Sequence, residues 1–351
     1  MKKTIFFTHN KNDFDFFFDK HSLLNLRKDV KILYNPLDKH LNDEEILKYS
    51  EDASIIISEW WTGAGPKLFK NKKDLKAIIR SGVEIKNIDF KAAKKANVAI
   101  INIPDAYSNA VAELVICFIC SLARNLLHFH QKTMEGFYNE AVIEMLSDKK
   151  IHSSQFPEFE IQGSTLGVIG FGSIGQLIRK KAISLGMKVL VYDPFCLKKD
   201  KKSNFVSLDF ILKHSRFVSL SASSNNKNKY LISKKELKKM SKNSYLINTA
   251  RGNLVDTHAL YTALKNNEIA GAAIDVLETS EKYDRSINQA WKHSENFSKT
   301  PLRKLKNVIL TPHMAGYTKK TITKQSNEII RNINLLFNNK MPKSILNKKK
   351  Q

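Results

Sequence analysis

The segment TLGVIGFGSIGQLIRKKAISLGMKVLVYD, from Thr165 to Asp193, constrains the fold more than any other part of the 351-residue chain. An apolar run leads into Gly170-x-Gly172-x-x-Gly175, a helical stretch follows, and a second apolar run ends in Asp193, 18 residues after Gly175. Strand, glycine turn, helix and strand in that order give each glycine a physical purpose. Gly170 permits the tight turn, Gly172 lets the backbone approach a pyrophosphate, and Gly175 allows the helix to pack closely on the strand. Ser173 and Ile174 open the helix, whose free N–H groups and positive end suit phosphate. Asp193 is placed to accept hydrogen bonds from ribose hydroxyls and to repel a 2′-phosphate, which favours NAD over NADP.

The same alternation runs through the rest of the chain. Strands are predicted at Thr4–Thr8, Lys31–Tyr34, Ser54–Ser58, Lys76–Arg80 and Val98–Asn102, with helical stretches such as NDEEILKYS and DFKAAKKAN between them. Pro104 and Asp105 break the pattern, and Ser108 or Asn109 is suited to cap a long apolar helix. A second block starts at Thr165 and continues through FVSLSA, SYLINTA, GAAIDVL and NVILTPH, before a last helix over about 319–339. The alternation predicts an α/β chain of two Rossmann-like domains with doubly wound parallel sheets. The dinucleotide domain, residues 105–318, is inserted into a domain made of 1–104 plus 319–351.

Composition narrows the function classes. Lys plus Arg number 58 against 34 Asp plus Glu, a formal charge of +24. The lysines are scattered in short groups such as KNKK, KAAKK and KKELKKM, with no basic stripe and interleaved aromatics, so nucleic acid is not the expected partner. The charge would instead help gather a small anionic substrate. No apolar stretch approaches the roughly 18–20 residues of a membrane span, and the apolar run Ile5–Phe7 is too short for a signal peptide. A cytoplasmic protein with no membrane partner is expected. Three cysteines exclude a disulfide scaffold. Cys117 and Cys120 form C-x-x-C in ELVICFICSLARN, read here as a buried helix with two core thiols, and no metal site is expected.

Two further strand ends carry reactive side chains. SYLINTARGNLVD puts Arg251 just past an apolar run, and NVILTPHMAGYT does the same for His313. Ligands of open α/β sheets bind outside the carboxyl ends of the strands. Arginine offers a planar fork for a carboxylate, and histidine exchanges a proton with an alcohol near neutral pH. Beside a dinucleotide loop, the pair suits hydride transfer at a secondary alcohol.

The motifs GVIGFGSIGQ, VYDPF, LINTARGNLVDTHAL, IAGAAIDV and NVILTPHMAGYT, in this order from Gly163 to Thr318, resemble the NAD-binding domain of the D-isomer-specific 2-hydroxyacid dehydrogenases. That family includes phosphoglycerate dehydrogenase, hydroxypyruvate and glyoxylate reductases and D-lactate dehydrogenase. DLKAIIRSGVEIKNIDFKAAKKANVAIINIP and SNAVAEL resemble the edge of its substrate domain and its connecting helix. The resemblance implies an NAD-dependent enzyme that interconverts a D-2-hydroxy acid and its 2-oxo acid, and a homodimer. It implies His313 as acid/base, Arg251 on the substrate's carboxylate or carbonyl, and Asp275 on the nicotinamide carboxamide. Thr249, Ala250 and Gly316 fall on the cofactor side, and the loop at Ser81, Gly82 and Val83 offers N–H groups to the substrate carboxylate.

Several residues depart from the family pattern. The family pairs its histidine with a glutamate five residues after the aspartate at 275, but position 280 is serine. Glu281 takes that role if the loop carries a one-residue insertion; Glu278, or no acid at all, are the alternatives. Glu84 and Lys86 alter the substrate loop, Tyr107 replaces the usual Asn, and Ser221 and Ser223 stand in a loop lacking the usual His and Pro. Trp60 and Trp61 form an apolar wall to the pocket or pack a domain surface. The rival reading from another class is an NAD(H)-binding regulatory or corepressor-like protein with weak or no turnover; oxidation of formate or phosphite is a second enzymatic variant.

Overall fold

The computed structural model describes residues 3–10, 14, 17–24, 26, 30–146, 159–196, 204–278 and 298–347. The chain divides into two compact units, with crossings at Tyr107/Ser108 and Gly316/Tyr317, so the second unit is inserted in the first.

The first unit holds five parallel strands: β1 (Lys3–Asn10), β2 (Val30–Asn35), β3 (Ile55–Ser58), β4 (Ala77–Arg80) and β5 (Ala99–Ile101). They lie in the order β2-β1-β3-β4-β5. The central strands are apolar throughout because helices cover both faces. Side chains alternate with period two. Ile5, Phe7, Ile55, Ile57, Ile79 and Ile101 pack on one face with Ile329 and Ile333 of the helix Lys319–Phe337. Phe6, Ile56, Ile78 and Ile100 pack on the other with Ile46 and Leu68. Local signals agree: Asn42 and Glu45 form a capping box on the helix Asp43–Tyr49, and Thr318 caps the C-terminal helix by accepting from Thr321 N.

The second unit holds β6 (Thr165–Ile169), β7 (Lys188–Tyr192), β8 (Phe217–Leu220), β9 (Tyr245–Asn248), β10 (Gly271–Ile274) and β11 (Val308–Leu310). All pairings are parallel, in the order β11-β10-β9-β8-β6-β7. Phe205 adds one parallel bridge to Val191, on the outer side of β7. Counting that bridge as a vestigial strand gives the order 3-2-1-4-5-6-7, the Rossmann order 3-2-1-4-5-6 with one further strand. The chain is therefore a two-domain α/β protein of Rossmann type.

The helix Ser108–Ala123 departs from expectation. Ala112, Val115, Phe118 and Ile119 are buried, at the three- and four-residue spacing of one helical face. Cys117 and Cys120 lie on the other face and are exposed, not core thiols. A continuous apolar run reads as buried all round, yet only one face of the helix meets the sheet. The exposed side continues into Leu126, Leu127, Met134, Phe137, Tyr138 and Ile143. Among the described residues no single helix is long and apolar enough to cross a membrane, although Ser108–Ala123 and Leu126–Met134, bent by 68°, pass that test as a pair.

Candidate active site

The glycine loop sits where β6 and β8 part, the topological switch of the six-stranded sheet. Gly170 has φ +95, and a Cβ there would lie 2.6 Å from Ala222 N, so the ends of β6 and β8 touch through it. At Gly175 a Cβ would stand 2.1 Å from Gly170 O, which is the close helix–strand approach. Gly172 differs: nothing lies within 4 Å of its missing Cβ. The chain itself does not need glycine there, whereas a group outside the chain would. Gly172 is also the N-cap of the helix Ser173–Ser184 without a side-chain cap, leaving N–H groups at Ser173 and Ile174 for an anion.

Asp193 closes this loop. Its Oδ2 accepts from Phe171 N at 2.8 Å and its Oδ1 from Phe195 N at 2.9 Å. The carboxylate is thus fixed before any ribose arrives, and each oxygen keeps capacity for another donor. The buried Oγ atoms of Ser221 and Thr249 have no partner among the described residues. Open space at Gly172, an uncapped helix start, a fixed carboxylate and two orphaned hydroxyls fit a dinucleotide.

The candidate reacting side chains, Arg251 and His313, follow β9 and β11, the two strands that flank β10. After β9, buried Asn248 folds the turn on itself: its Nδ2 donates to Arg251 O at 3.0 Å and its Oδ1 accepts from Ala250 N at 3.0 Å. Arg251 Nη1 donates to Ala250 O at 2.7 Å, which pins one prong of the guanidinium fork. Gly252 then passes against the main chain after β10, where a Cβ would meet Leu277 O at 2.0 Å.

Asp275, fully buried at the end of β10, organises the next strand end. Oδ1 accepts from Thr311 Oγ1 at 2.5 Å and Met314 N at 2.9 Å, and Oδ2 from Ala315 N at 3.0 Å. These donors flank His313, whose φ of +55 lies in the left-handed region. A non-glycine residue there costs on the order of 1–2 kcal/mol. The carboxylate holds the segment through that cost. A role for Asp275 on a nicotinamide carboxamide leaves unmentioned this grip on the histidine loop, which the sequence did not reveal.

The acids after β10 divide. Glu278 accepts a hydrogen bond from the Tyr230 hydroxyl, and that bond is the main reason the Tyr230 pKa is raised. Glu281 and Ser280 lie outside the described residues.

In the first unit the loop after β4 is more committed than expected. Ser81 N donates to Ser58 O and Gly82 N to Arg80 O. Of the three N–H groups expected to meet a carboxylate, two are spent inside the protein, and that of Val83 has no protein acceptor among the described residues. Trp60 lies on this loop, with Nε1 donating to Ser81 O at 3.0 Å. Its ring centroid is 6.5 Å from that of Tyr107 and 6.3 Å from that of Tyr317. Burial raises the Tyr107 phenol well above its ordinary pKa, and its hydroxyl donates to Gln325. Trp61 instead faces the His40 ring, 5.9 Å away. Glu59, buried between them, accepts from His40 Nδ1, Trp61 N and both Thr62 donors.

Residues 116–315 match the family model described as D-isomer specific 2-hydroxyacid dehydrogenase, NAD binding domain. The chain is 30% identical over 285 residues to a glyoxylate reductase of Thermococcus litoralis, covering 80% of each protein. It is 31% identical over 311 residues to a D-3-phosphoglycerate dehydrogenase of Methanocaldococcus jannaschii, covering 88% of this chain and 54% of that protein, about half its length. Among solved structures, D-lactate dehydrogenase of Aquifex aeolicus, complexed with NAD and lactic acid, superposes with a TM-score of 0.73 at 27% identity, the match covering 96% of this chain and 96% of that one.

Proposed function

Since the chain belongs to the D-isomer-specific 2-hydroxyacid dehydrogenases, NAD-dependent oxidoreductases, we propose that it interconverts a small D-2-hydroxy acid and its 2-oxo acid, with His313 as acid/base and Arg251 on the substrate's carboxylate or carbonyl. The cofactor's part is to accept or return the hydride. The helix start at Ser173 and Ile174 and the hydroxyl of Thr249 hold its phosphates and nearby polar groups, and Asp193 takes the ribose. His313 accepts the hydroxyl proton when the alcohol is oxidised and returns it to the carbonyl oxygen on reduction. Arg251 orients the acid with its guanidinium fork. The Val83 N–H is the donor proposed for the substrate carboxylate. Cytoplasmic location and the two domain roles, substrate and cofactor, belong to the same reading.

The strongest support is the grip of Asp275 on both sides of His313, in a strand-end row that also carries Arg251. A buried carboxylate spent on holding one left-handed histidine suits a residue whose direction matters. The relatives' names point to glyoxylate and related 2-oxo acids as first substrates. NADH absorbance followed with glyoxylate, hydroxypyruvate, pyruvate and 3-phosphohydroxypyruvate tests the reading. Turnover that disappears in His313→Ala is expected. Tight NADH binding without turnover on any of them would favour a regulatory protein instead.

The exposed apolar side chains from Leu126 to Ile143 support a homodimer through this face.

A further inference from the structure

The five-stranded sheet has a switch point of its own. β1 and β3 are neighbours, and from them the chain proceeds to opposite edges, β2 on one side and β4 and β5 on the other. Strand ends at such a point form the natural crevice of an open parallel sheet. Here they carry His9 at the end of β1, Glu59 after β3, and Arg80 and Ser81 at the end of β4, all buried.

His9 stands where the buried central strand would ordinarily carry an apolar residue. Its ring meets Phe18 edge-on, with centroids 4.8 Å apart, and Phe17 at 5.4 Å. Nε2 lies 2.8 Å from Ser81 Oγ, and Ser81 Oγ donates to Ser58 O at 3.1 Å. A hydroxyl has one hydrogen to give. With that hydrogen on Ser58 O, Ser81 Oγ accepts, so His9 carries its proton on Nε2. Burial lowers the His9 pKa to about 3; Glu59 opposes the shift and the Arg80 cation assists it. The ring is a neutral donor at neutral pH.

This chain of two hydrogen bonds joins the ends of β1, β4 and β3. It fixes Ser81 from below, while Trp60 fixes it from the other side, so close that a Cβ on Gly82 would stand 2.0 Å from Trp60 Nε1. Asn102 Nδ2 donates to Val83 O at 3.2 Å and holds the far end. What these restraints leave unspent is the N–H of Val83. Beneath them lies Arg80, with no exposed surface, whose Nη2 donates to Asn87 Oδ1 at 2.5 Å and whose Nε and Nη1 have no partner among the described residues. Its charge gives the loop a fixed positive base.

We infer that His9 is a positioning residue: acting through Ser81, it sets the direction of the Val83 N–H toward the substrate carboxylate. The inference rests on the reading of that loop given above. A loop N–H turned away from a carboxylate loses a charge-assisted hydrogen bond, and the effect should fall on substrate binding and spare the cofactor.

The test is steady-state kinetics of the full chain with the best 2-oxo acid, alongside NADH affinity by fluorescence and thermal melting, for His9→Leu, His9→Gln, Ser81→Ala and the His9→Leu/Ser81→Ala double variant. His9→Leu and Ser81→Ala are each expected to raise KM about tenfold, the worth of one such hydrogen bond. NADH affinity should hold within about twofold, a change of under about 0.5 kcal/mol. The double variant should be no worse than either single one, because both break the same link. Gln, whose side-chain amide can reach the same oxygen, should restore most of the loss. A folded His9→Leu with wild-type KM, or losses that add in the double variant, overturns the inference. Wild-type protein that turns over no 2-oxo acid counts against the functional reading; the same four variants are then compared by oxamate binding to the NADH-loaded protein, with the same pattern expected in Kd. Oxamate binding that is unchanged by His9→Leu, or absent in the wild type, overturns the inference by that route.

Discussion

Gly252 rests on Leu277: a Cβ added to the glycine would lie 2.0 Å from both the carbonyl carbon and oxygen of Leu277. The turn that carries Arg251 therefore seats directly on the chain leaving β10. Gly252→Ala must push those strand ends apart, at an overpacking cost of about 1–3 kcal/mol. Since a misplacement of about 1 Å can cost a reaction about a hundredfold, kcat/KM should fall by about that factor while NADH affinity changes little. Kinetics and a fluorescence titration on one preparation check both.

Asp275→Asn tests the support of His313. The amide keeps one acceptor but turns an N–H donor toward either Met314 N or Ala315 N, leaving a buried donor unmatched. Stability should drop by about 1–3 kcal/mol. The released His313 should lower kcat more than it raises KM. Urea unfolding and saturation kinetics measure the two parts.

Asp193→Ala removes the acceptor that closes the glycine loop and the charge that repels a 2′-phosphate. NADH affinity should weaken about tenfold, and the preference for NADH over NADPH should narrow by a similar factor. Parallel titrations with the two nucleotides give the answer.

Acid should destabilise the first unit through His9. Its folded pKa, lowered to about 3, lies below the ordinary 6.5, so the unfolded chain takes the proton first. The contribution of neutral His9 is complete above pH 6.5 and is lost as pH falls below it, by about 1.4 kcal/mol per pH unit. Glu59 does not interfere in that window. Its burial favours the neutral form, but hydrogen bonds from His40 and Thr62 hold its pKa below the ordinary 4.5. Urea midpoints between pH 7.5 and 5 should therefore fall for the wild type and fall less for His9→Gln.

The exposed face at Leu127 and Phe137 yields a prediction about assembly. Replacing both with glutamate puts charge into the proposed apolar contact and should convert a dimer to a monomer by light scattering, while each protomer keeps its circular dichroism spectrum.

The second unit was largely legible from the sequence because its signals are local. A strand, three spaced glycines and an aspartate lie within 29 residues, and the ends of β9 and β11 announce themselves by apolar runs that stop at Arg251 and His313. Legibility failed where meaning depends on distant partners. His9, Glu59 and Arg80 are separated by dozens of residues and meet only because β1, β3 and β4 are neighbours. Asp275 looks the same in sequence whether it faces a ligand or grips the next loop. The cysteines misled for a related reason: an unbroken apolar run does not say which of its faces meets a sheet. The tight passage of Gly252 did leave a trace, a glycine directly after the candidate arginine.

The six-stranded sheet carries its chemistry unevenly. The glycine loop and Arg251 follow β6 and β9, which are paired on both sides. Asp193 and His313 follow β7 and β11, at opposite margins, and β11 is three half-buried residues long. Margins open more readily than centres, since they have fewer buried contacts to lose. A ligand reaching from Asp193 to His313 is therefore gripped in the middle and has to recruit both rims. Its binding energy would register as slowed amide exchange in β7 and β11, with β8 and β9 barely altered, so that occupancy completes the stiffness the bare sheet lacks.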